Sequence, residues 1–163
     1  MDNKTINEIA AQIAQNYETA EVPMYGQRLC LPDRASVIAI LELLQKLLFP
    51  AYFGDTQLLR LPPAQYSALL LQELAEKLTE QIARATGACT DDSAADAANQ
   101  LLQQLPEIQQ LLWKDLTANF DGDPAATSKQ EVIFSYPGFY AIFVYRIAHV
   151  LYRMQIPMIP RMM

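Results

Sequence analysis

Hydrophobic residues recur along most of this 163-residue chain at the three- and four-residue steps that put side chains on one face of an α-helix. Ile6, Ile9, Ile13 and Tyr17 open the series, and Thr5 followed by Glu8 fits a capping box, so a first helix is expected from about Thr5 to Tyr17. A loop through Pro23 and Gly26 ends it. The next stripe, Val37, Leu41, Leu44 and Leu48, is widened by Ile38, Ile40, Leu43 and Leu47. That is too broad for a surface helix, so this element is expected at the centre, with Pro32 in its first turn and Pro50 as its stop. Residues 51–61 read as a connection.

Pro62-Pro63 opens a third helix, with Leu71, Leu74, Leu78, Ile82 and Ala85 on one side and Glu73, Glu76, Lys77, Glu80 and Gln81 mostly on the other. Gly87 supplies a left-handed stop. Asp92 or Ser93 caps a fourth helix through Ala94, Ala97, Leu101 and Leu105, which Pro106 ends or kinks; a fifth runs from Pro106 to about Asn119. Asp121-Gly122-Asp123-Pro124 reads as a turn into a new helical start, Asp123 as N-cap and Pro124 at the first helical position. Ser128 and Glu131 form a second capping box for a short helix ending near Tyr136. The last helix, from Pro137 to about Gln155, is apolar almost all round, which marks it for a core or a subunit interface. No segment carries a comparable strand signal and no repeat is visible. The expected fold is all-α, a bundle of about seven helices in one domain over 1–163 that oligomerises.

Composition narrows the functions. Hydrophobic residues make up 52% and charged ones 18%, which excludes a disordered chain. A net charge of −6, with Lys and Arg scattered singly, excludes a nucleic-acid or acidic-membrane surface. The apolar run Phe139–Tyr145 is far shorter than the ~20 residues of a membrane span. Met1-Asp2-Asn3-Lys4 lacks a secretory pattern, and Cys30 and Cys89 lack a metal or redox spacing, so both read as buried thiols in a cytoplasmic protein.

Candidate chemistry is sparse. One histidine, His149, excludes a histidine-rich metal site, and no spacing supports a Cys–His nucleophile pair. His149 and Arg146 lie three apart on one helix face and are expected to hydrogen-bond across a packed interface. The glycines are too far apart for a phosphate-binding loop. Placing Gly122 at the sixth position of a calcium loop leaves the first and last positions without acid, so no metal site is expected. Asp121 and Asp123 flank a glycine and can face one cleft, with Glu131 near in sequence. An aspartate before proline is equally explained by capping, and spacing does not choose between the two.

The segments Asp123-Pro124-Ala125-Ala126, Tyr136-Pro137-Gly138-Phe139-Tyr140-Ala141-Ile142, Tyr145-Arg146-Ile147-Ala148-His149 and Pro157-Met158-Ile159-Pro160-Arg161 resemble serine acetyltransferases. Those enzymes carry a D-P-A turn, a [Y/K]-x-G-[F/L]-x-A-[I/L] helix start and a Y/H-R-I-[A/G]-H segment in this order. Leu31–Asp55, with L-P-[D/S]-R and L-F-P-x-Y-F-G, is similar to the longer bacterial members.

The resemblance implies an N-terminal helical domain that assembles subunits as a trimer or dimer of trimers. A left-handed β-helix of hexapeptide repeats would follow, so 156–163 would start the connection to it. The acetyl-CoA groove, the histidine base and the tail that binds cysteine synthase would lie in that absent half, leaving no catalytic residue and no cofactor here. Asp123 matches the family aspartate that reaches the amino group of L-serine, and Pro124 would shape the wall beside it. Arg146 and His149 match a helix motif and are structural.

Two functions follow as expectations. One is an assembly and partial serine-binding domain of a serine O-acetyltransferase, inactive alone. The other is a free-standing helical oligomer with a regulatory role. Ile156, Met158, Ile159, Met162 and Met163 would be left unburied in an isolated domain, which favours the first.

Overall fold

The computed structural model describes residues 2–26, 29–87 and 93–163, and the described residues form α-helices with no strand. Two compact units divide the chain, Met1–Cys30 and Leu31–Met163.

The first unit is built on α1 (Asn3–Thr19). Asp2, not Thr5, caps it: the Thr5 amide donates to Asp2 Oδ1 at 2.7 Å. A carboxylate directly ahead of the helix gives this amide a closer acceptor than the expected capping box would. None of its residues is buried, and Ile6, Ile9, Ile13 and Tyr17 stay exposed. The Tyr17 ring stacks on Tyr25, which folds the segment after the helix back against its end. Cys30 is exposed, contrary to the expectation of a buried thiol. Cys89 and Asp92 lie outside the described residues.

The second unit holds the core. Its α2 (Arg34–Leu48) buries Val37, Ile40, Leu41, Leu43, Leu44, Leu47 and Leu48, as expected of a central helix. Asp33 caps it through the Ser36 amide and hydroxyl, each at 2.8 Å, which leaves Pro32 outside the helix rather than in its first turn. Pro50 both stops α2 and starts α3 (Pro50–Phe53), and a 3-10 turn follows at Leu58–Arg60.

Pro63 opens α4 (Pro63–Thr86), and Gly87 ends it in the left-handed region at φ 72°. Its buried face is rotated slightly from the expected one. Tyr66, Leu70 and Gln81 join Leu74, Leu78 and Ile82 inside, while Leu71 and Ala85 are half-buried.

Gln81 accepts the Asp33 amide at 2.8 Å, so a neutral side chain 1% exposed joins α4 to the cap of α2. Leucine at Gln81 would strand that amide. The expected loss is about 1–3 kcal/mol in a denaturant titration, and no loss would show the amide re-solvated.

The largest departure is α5 (Ser93–Gly122), one 30-residue helix where the sequence suggests two. Pro106 sits inside it with its ring exposed, while Leu101, Leu105, Ile108 and Leu112 continue one buried stripe past it. A proline in a helix interior costs about 3 kcal/mol. Packing of the stripe on both sides offsets that cost, and the nearby Gln109 side chain bonds across to the Leu48 carbonyl at 3.1 Å.

Two helices complete the unit. In α6 (Lys129–Ser135), Ser128 accepts the Glu131 amide. Glu131 reaches back to Thr127 rather than Ser128, so the expected box closes one residue early. The buried side of α7 (Pro137–Arg153) presents Phe139, Phe143, Ile147 and Leu151 to α5, and its other side exposes Tyr145 and Tyr152.

The end of α7 is a Schellman arrangement, with Ile156 N–H to the Leu151 carbonyl, Gln155 N–H to that of Tyr152, and Gln155 left-handed at φ 60°. A γ-turn at Met158 (φ 62°) then starts α8 (Ile159–Met162). The expectation that this tail is unburied holds for Met158, which is exposed, and is corrected for the other four residues. Ile159 is fully buried, and Ile156, Met162 and Met163 pack against the core, because the two turns fold the tail back onto the body.

No helix among the described residues is long and apolar enough to cross a membrane.

Candidate functional site

The end of α5 and the start of α7 meet through the loop at 123–128 and the short α6, and this is where the polar candidates gather. With α5 continuing to Gly122, Asp123 is the first residue after a helix and not the cap of a new one. Its carbonyl accepts the Ala126 amide at 3.0 Å, closing a β-turn with Pro124 at its second position. Proline suits that position as well as a first helical turn, which is why the sequence reads as a helix start.

The Asp123 carboxylate is held at both oxygens. Oδ1 accepts the Ala125 amide at 2.9 Å, and Oδ2 accepts the Tyr136 hydroxyl at 2.8 Å. Proline at 137 disfavours the helical conformation for Tyr136, which sits extended at φ −87°, ψ 111° between α6 and α7. That break frees the phenol to reach back across the loop.

The Ala125 amide, and then the Tyr136 hydroxyl, hold the Asp123 carboxyl below its ordinary range, while the same bond raises the phenol of Tyr136. Asp123 is therefore ionised at neutral pH. The stability it contributes is present above the ordinary carboxylate range and is lost as pH falls through its lowered value.

A second carboxylate stands beside it. Glu131 Oε2 accepts both the Thr127 hydroxyl at 2.6 Å and the Thr127 amide at 2.9 Å, which lower its pKa, while Asp123 acts on it in the opposite sense. Lys129 turns away, its ammonium bonding Thr117 Oγ1 at 3.0 Å and lying 6.0 Å from the centre of the Phe120 ring. The loop thus presents two ionised acids and one phenol.

The other sequence candidates stand elsewhere. Pro124 is exposed beside Asp123. Arg146 forms a two-pronged pair with Asp115 of α5, Nε to Oδ2 at 2.9 Å and an Nη to Oδ1 at 2.8 Å, and this raises the guanidinium pKa. Planar forked pairing of this kind fixes orientation as well as distance, so it clamps α7 to α5 within the subunit. His149 is exposed, its ring stacked on Tyr145 with centroids 5.5 Å apart. Among the described residues no three His, Cys, Asp or Glu side chains converge as metal ligands would.

Sequence reasoning missed Tyr136, Thr127 and Asp115. A tyrosine directly before proline, at a helix junction, is the one signal that pointed to the first; Asp115 is separated from its arginine by the end of α5, the whole of α6 and the first half of α7.

The family model described as serine acetyltransferase, N-terminal, matches residues 63–143. A plasmid serine acetyltransferase of Synechococcus elongatus is 37% identical over 144 residues, covering 80% of this chain and 45% of its own length. The serine acetyltransferase of Bacillus subtilis is 51% identical over 43 residues, 26% of this chain and 20% of that enzyme. Among solved structures, serine acetyltransferase 1 of Entamoeba histolytica in complex with L-cysteine superposes with a TM-score of 0.63 at 30% identity, over 94% of this chain and 54% of that one. The chain thus spans about half the length of these longer matches.

Proposed function

Because the chain carries the N-terminal helical domain of the serine acetyltransferase family, we propose that it assembles subunits and supplies one acidic contact to L-serine in acetyl transfer. In that reaction the serine hydroxyl oxygen attacks the thioester carbon of acetyl-CoA. The hydroxyl proton passes to a base, and CoA leaves as its thiol, giving O-acetyl-L-serine, the precursor of cysteine. The base and the CoA groove belong to a second half of the enzyme, and the work is done in the cytoplasm.

The observation that carries this reading is the Asp123 carboxylate, fixed by Ala125 and Tyr136, ionised and partly open. An ammonium group is its natural counterpart. L-cysteine, present in the Entamoeba complex, has the same ammonium and carboxylate as serine and would meet the same residue. Self-association is supported by the outward side of α7, where Tyr145 and Tyr152 remain exposed and closed symmetric assembly would cover them.

Two measurements test the proposal. The 163-residue chain given acetyl-CoA and serine should release no CoA above the uncatalysed rate, and turnover would overturn the division of labour. In a polypeptide that continues into the catalytic half, Asp123→Ala should raise KM for serine about 10- to 100-fold, the worth of one charged hydrogen bond. KM for acetyl-CoA should hold. An unchanged serine KM would reduce Asp123 to a turn former.

A further inference from the structure

Tyr136 has one O–H to donate. Where a tyrosine only ties elements together, a backbone carbonyl suffices as acceptor, as with Tyr66, whose hydroxyl bonds the Lys46 carbonyl at 2.8 Å. Tyr136 instead donates to the carboxylate oxygen of Asp123 that the Ala125 amide leaves unused. Each oxygen then holds one protein donor, and rotation of the carboxylate is blocked.

A carboxylate has about four lone-pair sites. Two are filled here and two are left, and the phenol oxygen, 2.8 Å from Oδ2, keeps lone pairs of its own. Three acceptors in one cluster match the three donors of a primary ammonium. The charged surroundings agree. Glu131 adds a second negative charge, Asp121 lies two residues away, and Lys129 is turned toward Thr117 and Phe120 rather than toward Asp123.

We infer that Tyr136 is a positioning residue for the amino-acid substrate, presetting the Asp123 carboxylate and adding a neighbouring acceptor for the substrate's ammonium. The inference rests on the serine-binding reading of Asp123. Its advantage is entropic: a carboxylate already fixed has less freedom to lose when the amino acid binds.

The test compares the 163-residue chain with its Tyr136→Phe variant. The substitution keeps the ring, which packs against the core, and removes only the hydroxyl. The first readout is the carboxyl titration of Asp123 by carbon NMR. Asp123 should titrate at higher pH in the variant, with Ala125 as its remaining donor, while the melting temperature stays within a few degrees.

The second readout, in a polypeptide that continues into the catalytic half, is L-serine binding by calorimetry, with glycerate, which has a hydroxyl in place of the ammonium, as the contrast. Serine should bind roughly three- to tenfold more weakly to the variant, and glycerate should bind weakly to both.

An Asp123 titration identical in the two chains overturns the inference whatever serine does, and so does equal serine affinity beside a shifted titration. A shifted titration with serine binding unchanged by Asp123→Ala in that longer polypeptide overturns the serine-site reading itself, leaving Tyr136 as a loop tie. If the melting temperature falls by more than a few degrees, both readouts are taken below the onset of unfolding of the variant, where the same outcomes decide.

Discussion

Phe143→Ala is expected to lower the unfolding free energy by about 3–5 kcal/mol, against the 5–15 kcal/mol typical of a domain. Phe143 is 1% exposed and lies where α7 meets the end of α2. Its ring sits edge-on to Phe49 at 6.4 Å and stacked with Tyr140 at 6.0 Å, and Phe49 also meets Phe139 at 5.8 Å. Alanine removes the middle of this aromatic group and leaves a cavity that rigid helices on either side cannot collapse. Urea unfolding followed by circular dichroism measures the loss. Arg153→Ala, at the exposed end of the same helix, is the control and should cost well under 1 kcal/mol. Equal effects at both positions would refute the facing of α7.

Gly54→Ala should cost about 1–3 kcal/mol for a different reason, overpacking. The backbone at Gly54 is extended (φ −69°, ψ 156°), so conformation alone admits any residue. Space does not. An added methyl would overlap the Pro50 carbonyl oxygen and stand 2.9 Å from the Tyr66 hydroxyl. The Pro50 oxygen already accepts the Gly54 amide at 2.8 Å, and the Tyr66 hydroxyl is committed to Lys46, so relief means loosening α3 or its attachment to α4. Alanine at Gly122, where the methyl meets nothing within 4 Å, gives the contrast and should be nearly neutral. A Gly54→Ala protein as stable as its parent would show that α3 yields without cost.

These effects explain which parts of the fold could be read in advance. The central place of α2 followed from an apolar stripe too wide for any surface helix. Pro50, Pro63, Gly87 and Pro137 fall at the expected boundaries, because each imposes a backbone restriction or freedom that acts locally. Pro106 was misjudged for the same reason. Its local effect is to break a helix, yet Leu101, Leu105, Ile108 and Leu112 keep one phase across it, and that phase was the better guide.

The site was legible in part. Asp123 stood out through its turn and its resemblance to a family motif, but its partners did not. Tyr136 is thirteen residues away and Asp115 is thirty-one from Arg146, and no periodicity connects such pairs.

The sequence alone settled the helical class, the central stripe of α2 and the acidic residue worth testing, since periodicity, proline and glycine act over a few neighbouring residues. Tertiary structure decided that α5 is one helix, that the tail folds back to bury Ile159, and that the Asp123 carboxylate is held from both sides. Each of those depends on packing or hydrogen bonds between residues far apart in the chain, where local propensity carries no information.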